Sequence, residues 1–584
     1  MPEAPFAGWR LAFAVVAAAL VCATVARAAE GDEPEAPIPF SYGFEIVERQ
    51  VVGSGQVTVA IAARGTGPSS GYYPLSIYLT STAPTVQDVR LSVTGLAGGT
   101  GHPMSRTVKL EPGERKTVFL PVPVSAGYSE LRAQAPGLTE GGKKPFFFNR
   151  VMRPNRAVLA LGTPDEFQAL VAQAPTPTDP SVTVMTVSAN EAPDEFAAYV
   201  GFDEVVLTRV PPDELTEARR RALDAYAATG GSLVIGRPTR GAATYFPGLK
   251  DSGPGRHPYG FGTLTLCAEK CTGAVEAGLE GVEPRVNPRG PQPAWMRRSM
   301  AYAYPSPGSA AEGALLPQAV APVGRFLLII VAFTLALGPG SVWVARRLGQ
   351  AMLLVTIPAT AALASGALVG YSAVAEGFSV HAATRGFTLL DRAHQRAVTV
   401  GLAAYYANLA PAGAQFGATT ALVGPDASNA DVQSATVDWT SGQRYGSDFL
   451  PSRTYREWGV LSADPTRARL AVRQTPEGWT VQNALGSPLR AAHLRLDGKD
   501  WRVTDVPDGG SAKAVLRTTA VPLPGVDVRE YSSRFGARVL EVAKAELAEG
   551  EFLAQVEGPS LMPVGGLRLE LHDAEHLVRG EVDR

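Results

Sequence analysis

Residues 326–344 read FLLIIVAFTLALGPGSVWV and residues 351–375 read AMLLVTIPATAALASGALVGYSAVA, with Ala345-Arg346-Arg347-Leu348-Gly349-Gln350 between them. Neither stretch contains Asp, Glu, Lys, Arg or His. As a helix, each is long enough to cross a hydrocarbon core of about 30 Å. Two adjacent arginines in so short a link predict a cytoplasmic turn. The expected architecture is therefore a two-helix transmembrane hairpin over 324–375 with its turn at 345–350. Both large flanks would then lie outside the cytoplasmic membrane, in the periplasm. Pro339, between Gly338 and Gly340, is expected to kink the first helix because it lacks a backbone donor. Gly366 and Gly370 form a G-x-x-x-G pattern suited to close helix packing. With no charged group at membrane depth, the hairpin reads as an anchor rather than a transport path.

The N-terminus fits an exported chain. Arg10 precedes the apolar run Leu11–Ala23, and Ala26-Arg27-Ala28 supplies a small-x-small cleavage pattern. Residues 1–28 read as a signal peptide cut before Ala29, with an uncleaved anchor helix as the alternative. The acidic, proline-rich segment 29–39 reads as a linker. Lys+Arg (53) and Asp+Glu (55) nearly balance, for a formal net charge of −2, which argues against a nucleic-acid partner. Of three cysteines, Cys22 lies in the leader, leaving Cys267 and Cys271. An extracytoplasmic setting makes a Cys267–Cys271 disulfide the first reading, which needs a turn there. Free thiols come second and a metal site third.

Three further regions follow from patterning. Over 40–150 short alternating segments recur: Gln56–Ile61, Ser76–Thr80, Val89–Val93, Thr107–Leu110 and Thr117–Leu120. A turn at Glu111-Pro112-Gly113-Glu114 separates the last two, and the whole predicts an N-terminal antiparallel β-sandwich. Over 151–265 the strands become continuous apolar runs: Ala157–Leu161, Val182–Thr186, Glu204–Leu207 and Ser232–Ile235. The helical pattern Asp213–Thr229, closed by Gly230-Gly231, precedes the last of them. Such alternation predicts a parallel, flavodoxin-like α/β domain. Residues 266–323 read as an irregular linker region. Residues 378–584 return to alternation, as in Trp479–Asn483 and Ala492–Leu496, and predict a second, sandwich-like β-rich domain. The expected fold class is thus a multidomain α+β membrane protein.

Phe202–Leu207, the Leu215–Tyr226 helix and Gly230–Gly236 together resemble the class I glutamine amidotransferase-like fold. The resemblance is closest to degenerate versions in uncharacterised bacterial membrane-anchored proteins. Leu337-Gly338-Pro339-Gly340, Arg346-Arg347-Leu348 and Leu354–Pro358 resemble the membrane segment of the same proteins. The resemblance spans much of residues 40–520. It implies an exported β domain, an amidotransferase-like domain, a membrane segment and further β structure in one chain. Active members of the wider fold use a cysteine nucleophile with a histidine partner. Between residues 150 and 260 this chain has no cysteine, and its one histidine there is His257. The resemblance therefore implies a catalytically silent domain.

Few residue constellations carry chemistry. His572-Asp573-Ala574-Glu575-His576 matches the H-x-x-E-H pattern of inverted zinc peptidases, which requires a helix and a third ligand. Leu567–Leu571 alternates like a strand and only eight residues follow His576, so the pair reads as solvated histidines at a strand end, open to opportunistic metal binding. No catalytic residue, structural metal site or cofactor is assigned. A parallel sheet offers ligands the loops beyond its strand ends, which places Asn190, Arg209 and Arg237 as candidates for ligand or partner binding. The function expected is that of a non-enzymatic, membrane-anchored bacterial envelope protein presenting binding or scaffolding domains. Its expected partners are other membrane or envelope proteins and the lipid bilayer. An accessory subunit of a membrane transport system is the alternative, and a hydrolase comes third.

Overall fold

A computed structural model describes most of the chain from Tyr42 to Arg584. Residues 1–41 lie outside it, as do 96–103, 172–181, 209–214, 237–245, 247–253, 268–314, 424–434, 518–534 and some shorter segments. The leader, the 29–39 linker and most of 266–323 therefore fall outside the described residues.

Among the described residues strand exceeds helix by 52% to 20%. This corrects the expected multidomain α+β membrane fold to a predominantly β one. The alternating segments near the N-terminus form two sheets. One holds Gln50–Gly55, Val57–Ala62, Tyr72–Ser81, Arg115–Pro123 and Leu138–Gly141. The other holds Gln87–Gly95, Met104–Leu110, Tyr128–Gln134 and Lys143–Phe147. Valine, isoleucine and leucine at every second position fill the space between them: Val57, Val59, Ile61, Leu75, Ile77, Val89, Leu91 and Val93 are all fully buried.

That second sheet does not end with the N-terminal region. Met104 and Ser105 pair in parallel with Val437 and Asp438, and the sheet continues through Gln443–Tyr445 to Ala414–Phe416. Around this joint the Trp439 amide donates to the Ser105 carbonyl at 2.8 Å and the Thr107 amide to Thr440 Oγ1 at 2.9 Å. The Tyr72 hydroxyl donates to the Leu422 carbonyl at 2.8 Å, and its ring meets Trp439 edge-on at 6.0 Å. Strands from before and after the apolar segment thus belong to one folded body.

A third sheet holds Val182–Val187, Arg156–Leu161, Glu204–Leu207, Ser232–Ile235 and Gly262–Leu266 in parallel, edged by Tyr42–Phe44 and by antiparallel Gly255–Tyr259. Its apolar strands are buried as expected for a sheet covered on both faces: Leu159, Val205, Val206, Leu207, Leu233 and Val234 are 0% exposed, worth about 2 kcal/mol each. The helix Glu217–Ala228 starts four residues later than the hydrophobic pattern suggests. Thr216 caps it by accepting the Arg219 amide at 3.3 Å, and Gly230 leaves it at φ +131°. The expected flavodoxin-like domain is corrected by what covers the sheet. Among the described residues only Pro164–Val171 and Glu217–Ala228 are α-helices here, and the connection from Val187 to Glu204 is two short 3-10 turns. One hydrophobic core runs from the N-terminal strands through Leu159, Val205 and Tyr226 to Tyr405, Trp458 and Leu577. The parallel sheet is one layer of a β-rich body: the helix Glu217–Ala228 and the turn Phe196–Tyr199 pack in turn against strands from both flanks, in one shared core.

Among the described residues the largest sheet has nine strands, built around Val380–Asp391, Arg396–Ala407, Thr454–Pro465 and Leu569–Glu581. A three-stranded sheet, Arg469–Thr475, Gly478–Ala484 and Ser511–Lys513, packs its own core with Leu489, Leu494 and Phe552.

The two-pass transmembrane hairpin is also corrected: among the described residues no helix is long and apolar enough to cross a membrane. The first apolar stretch is divided into Val323–Leu335, a π-helical turn Ala336–Gly340 and Ser341–Leu348. Pro339 removes the backbone donor that a continuous helix needs at that turn. The second is helical over Leu353–Ala375 and carries Pro358 inside it. The expected two-pass placement in the cytoplasmic membrane, with periplasmic flanks, is withdrawn with it.

Candidate functional site

The strand Val380–Asp391 runs parallel to Leu569–Glu581, with His381 opposite Glu570 and Ala382 opposite Leu571. The register then shifts, and Ala383 pairs with Asp573. His572 is the extra residue of this β-bulge. A bulge resets the in–out alternation by one residue, so His572 and Asp573 both join the face that carries His381 and Arg385. Glu575 remains on that face, while His576, four residues after His572, turns to the opposite one.

On the first face His381, Glu570 and His572 bring their ligand atoms within 4.8 Å of one another. His381 Nδ1 lies 2.7 Å from His572 Nε2, 3.6 Å from Glu570 Oε2, and the rings tilt at 44° with centroids 4.8 Å apart. Ser379 Oγ donates to Glu570 Oε2 at 2.8 Å, and Tyr406 stacks beside His381 at 6.4 Å. The Ser379 hydrogen bond, aided by the two nearby imidazoles, holds the Glu570 carboxyl below its usual range. His381 and His572 are 20% and 27% exposed, so the trio opens to solvent from a fixed backbone. Two imidazole nitrogens and a carboxylate are the donor set of a borderline divalent transition metal.

Next along the same face, buried Arg385 reaches Asp573 at 2.5 Å and Glu575 at 3.9 Å. The other face is closed. His576 is fully buried, its Nε2 lies 2.6 Å from Thr388 Oγ1, Thr388 meets Thr399 at 2.6 Å, and the Thr399 hydroxyl donates to the Leu561 carbonyl at 3.0 Å. The terminal carbonyl sets the direction of this relay: each hydroxyl donates onward, so His576 carries its proton on Nε2. Burial alone lowers its pKa to about 4. The H-x-x-E-H pattern is therefore split between two faces of a strand, and its histidines cannot share an ion.

A second polar cluster ties the parallel sheet to the nine-stranded one. Arg396 pairs with Asp224 on the Glu217–Ala228 helix, with Asp391 at 3.0 Å and with the Tyr259 hydroxyl at 3.0 Å. Tyr259 also donates to Asp224. Burial raises the Asp224 carboxyl above its ordinary range despite the attraction of Arg396. Every polar end in this cluster finds a partner inside the protein, the arrangement of a structural staple.

Of the residues singled out from sequence, Asn190 sits exposed on a 3-10 turn, its Oδ1 accepting from Ser188 at 2.5 Å. Arg209 and Arg237 lie outside the described residues, so the strand-end group is not brought together. Cys267 is buried and disulfide-bonded, and Cys271 lies outside the described residues. Sequence reading found His572 but missed His381 and Glu570. Their only local signal is the strand alternation around each; the register that joins them spans 191 residues.

No protein-family model matches the chain, and no curated protein matches it. Among solved structures it is similar to a cycloisomaltooligosaccharide glucanotransferase of Paenibacillus sp. complexed with cycloisomaltoheptaose, at 16% identity and a TM-score of 0.13. The match covers 28% of this chain and 20% of that one. A likeness this slight carries no argument about fold or activity.

Proposed function

We propose that the protein is a non-enzymatic scaffold whose β body is held at a lipid surface by its apolar helical arm. The observation that carries this reading is the exposure of the arm: Leu328, Leu354 and Leu363 are 71%, 82% and 75% exposed. Contiguous apolar surface on this scale marks an interaction site. Trp343, with Arg347 over its ring at 5.0 Å, and neighbouring Arg346 give one end the amphipathic and basic character of a lipid interface. This reading needs no spanning helix, only an arm lying against the boundary between headgroups and acyl chains. The joint between Met104–Leu110 and Val437–Asp438 supports the scaffolding part, because it makes both flanks of the arm one body.

Vesicle flotation of the full chain tests it. Wild-type protein should float with vesicles containing anionic lipid, and a Leu328→Ser, Leu354→Ser, Leu363→Ser variant should remain in the dense fractions with an unchanged melting temperature. Equal flotation of the two proteins would refute lipid docking through the arm.

A further inference from the structure

The trio at the bulge has a consequence independent of lipid docking. We propose that His381, Glu570 and His572 form a binding site for one divalent transition-metal cation of the zinc class, built on the bulge of the parallel strand pair. His381 offers Nδ1, His572 offers Nε2 and Glu570 offers one carboxylate oxygen, all within 4.8 Å.

Three features of the trio support an ion over a plain hydrogen-bonded pair. First, three donors from two strands converge, and the one that bends furthest from regular register, His572, is the bulged residue. Without the extra residue His572 would stand one register step further along the pair, away from His381. Second, the geometry lies close to a metal-bound one. Zinc–nitrogen bonds of about 2.0 Å at a tetrahedral angle place two ligand nitrogens about 3.3 Å apart. The rings therefore need to part by roughly 0.6 Å from their 2.7 Å contact. Third, the supports of a metal ligand are present: Ser379 fixes the carboxylate and Tyr406 flanks the His381 ring. The fourth position opens to solvent, for water or a donor from a partner. Arg385 is spent on Asp573 and Glu575, so its charge is compensated beside the site.

The location gives the ion a role. The apolar arm ends at Ala375 and the strand carrying His381 begins at Val380. A cation there would cross-link the first residues of Val380–Asp391 to Leu569–Glu581.

The test uses the full chain without a histidine tag, in mild detergent, stripped with chelator and titrated with Zn²⁺ by calorimetry. Co²⁺ absorption in the visible range reports coordination directly. Expected are one saturable site per chain, a tetrahedral-type Co²⁺ spectrum, and a Zn²⁺-dependent rise in melting temperature. His381→Ala and His572→Ala should each weaken binding at least about tenfold and abolish the thermal shift. Glu570→Gln, on an exposed side chain, gives the same readout should either histidine variant fail to fold. His257→Asn should bind as wild type does. The proposal is overturned if the wild-type chain shows no saturable binding, or if the variants at 381, 570 and 572 bind with wild-type affinity.

Discussion

The imidazole of His576 packs directly on Gly386: a Cβ at residue 386 would lie 2.4 Å from Nδ1 and 2.6 Å from Cε1 of that ring. The two residues are register partners in the parallel pair, and the glycine leaves the space that the ring fills.

Gly386→Ala is expected to destabilise the protein by about 1–3 kcal/mol, since the ring is fully buried and anchored to Thr388. Denaturant unfolding measures it. The same substitution in a His576→Ala background should cost much less, because the methyl then enters vacated space. Equal costs in both backgrounds would mean that the ring is not what requires glycine.

Acid should destabilise the protein through His576. Its pKa is lowered from the ordinary 6.5 to about 4 in the fold, so between those values the unfolded chain binds a proton that the folded one does not. Stability contributed by this residue is complete above about pH 6.5 and falls as pH drops towards about 4. The full loss is on the order of 3 kcal/mol. Unfolding of wild type and His576→Gln across this window checks it: the slope with pH should flatten in the variant.

Arg579 closes the end of the helix Ala537–Lys544. Its guanidinium donates to the carbonyls of Val542, Ala545 and Glu546 at 2.8–2.9 Å and to Glu551 at 2.6 Å. These acceptors lie where helix carbonyls lack partners of their own. Arg579→Lys keeps the charge and loses the planar fork, and should cost about 2 kcal/mol. Hydrogen exchange should show the loss concentrated in this helix. Protection equal to wild type would show that the fork is dispensable.

Tyr72→Phe tests whether the two flanks of the apolar segment fold as one. Removing the hydroxyl leaves the Leu422 carbonyl without its 2.8 Å partner across the joint, at a cost of about 1 kcal/mol. Exchange should rise in both Tyr72–Ser81 and Thr420–Val423. A change confined to Tyr72–Ser81 would mean that the flanks unfold separately.

The sequence by itself determined which segments become strands. Alternation at Val89–Val93, Trp479–Asn483 and Ala492–Leu496, and the continuous apolar runs of Ala157–Leu161 and Ser232–Ile235, all lie within strands, because side-chain period and burial are local properties of the chain. It also identified the apolar arm, since hydropathy is read residue by residue. The tertiary structure alone decided how strands were shared. Met104 and Val437 are joined by a backbone pairing that no side chain announces, and this merges regions that composition divides. It also decided the site. His572 and His576 look equivalent in the sequence, but one bulged residue sends them to opposite faces, and His381 reaches His572 only through a register set 191 residues away. Alternation is written in the chain; a single-residue shift of register is set by the partner strand, and that shift chooses which side chains meet.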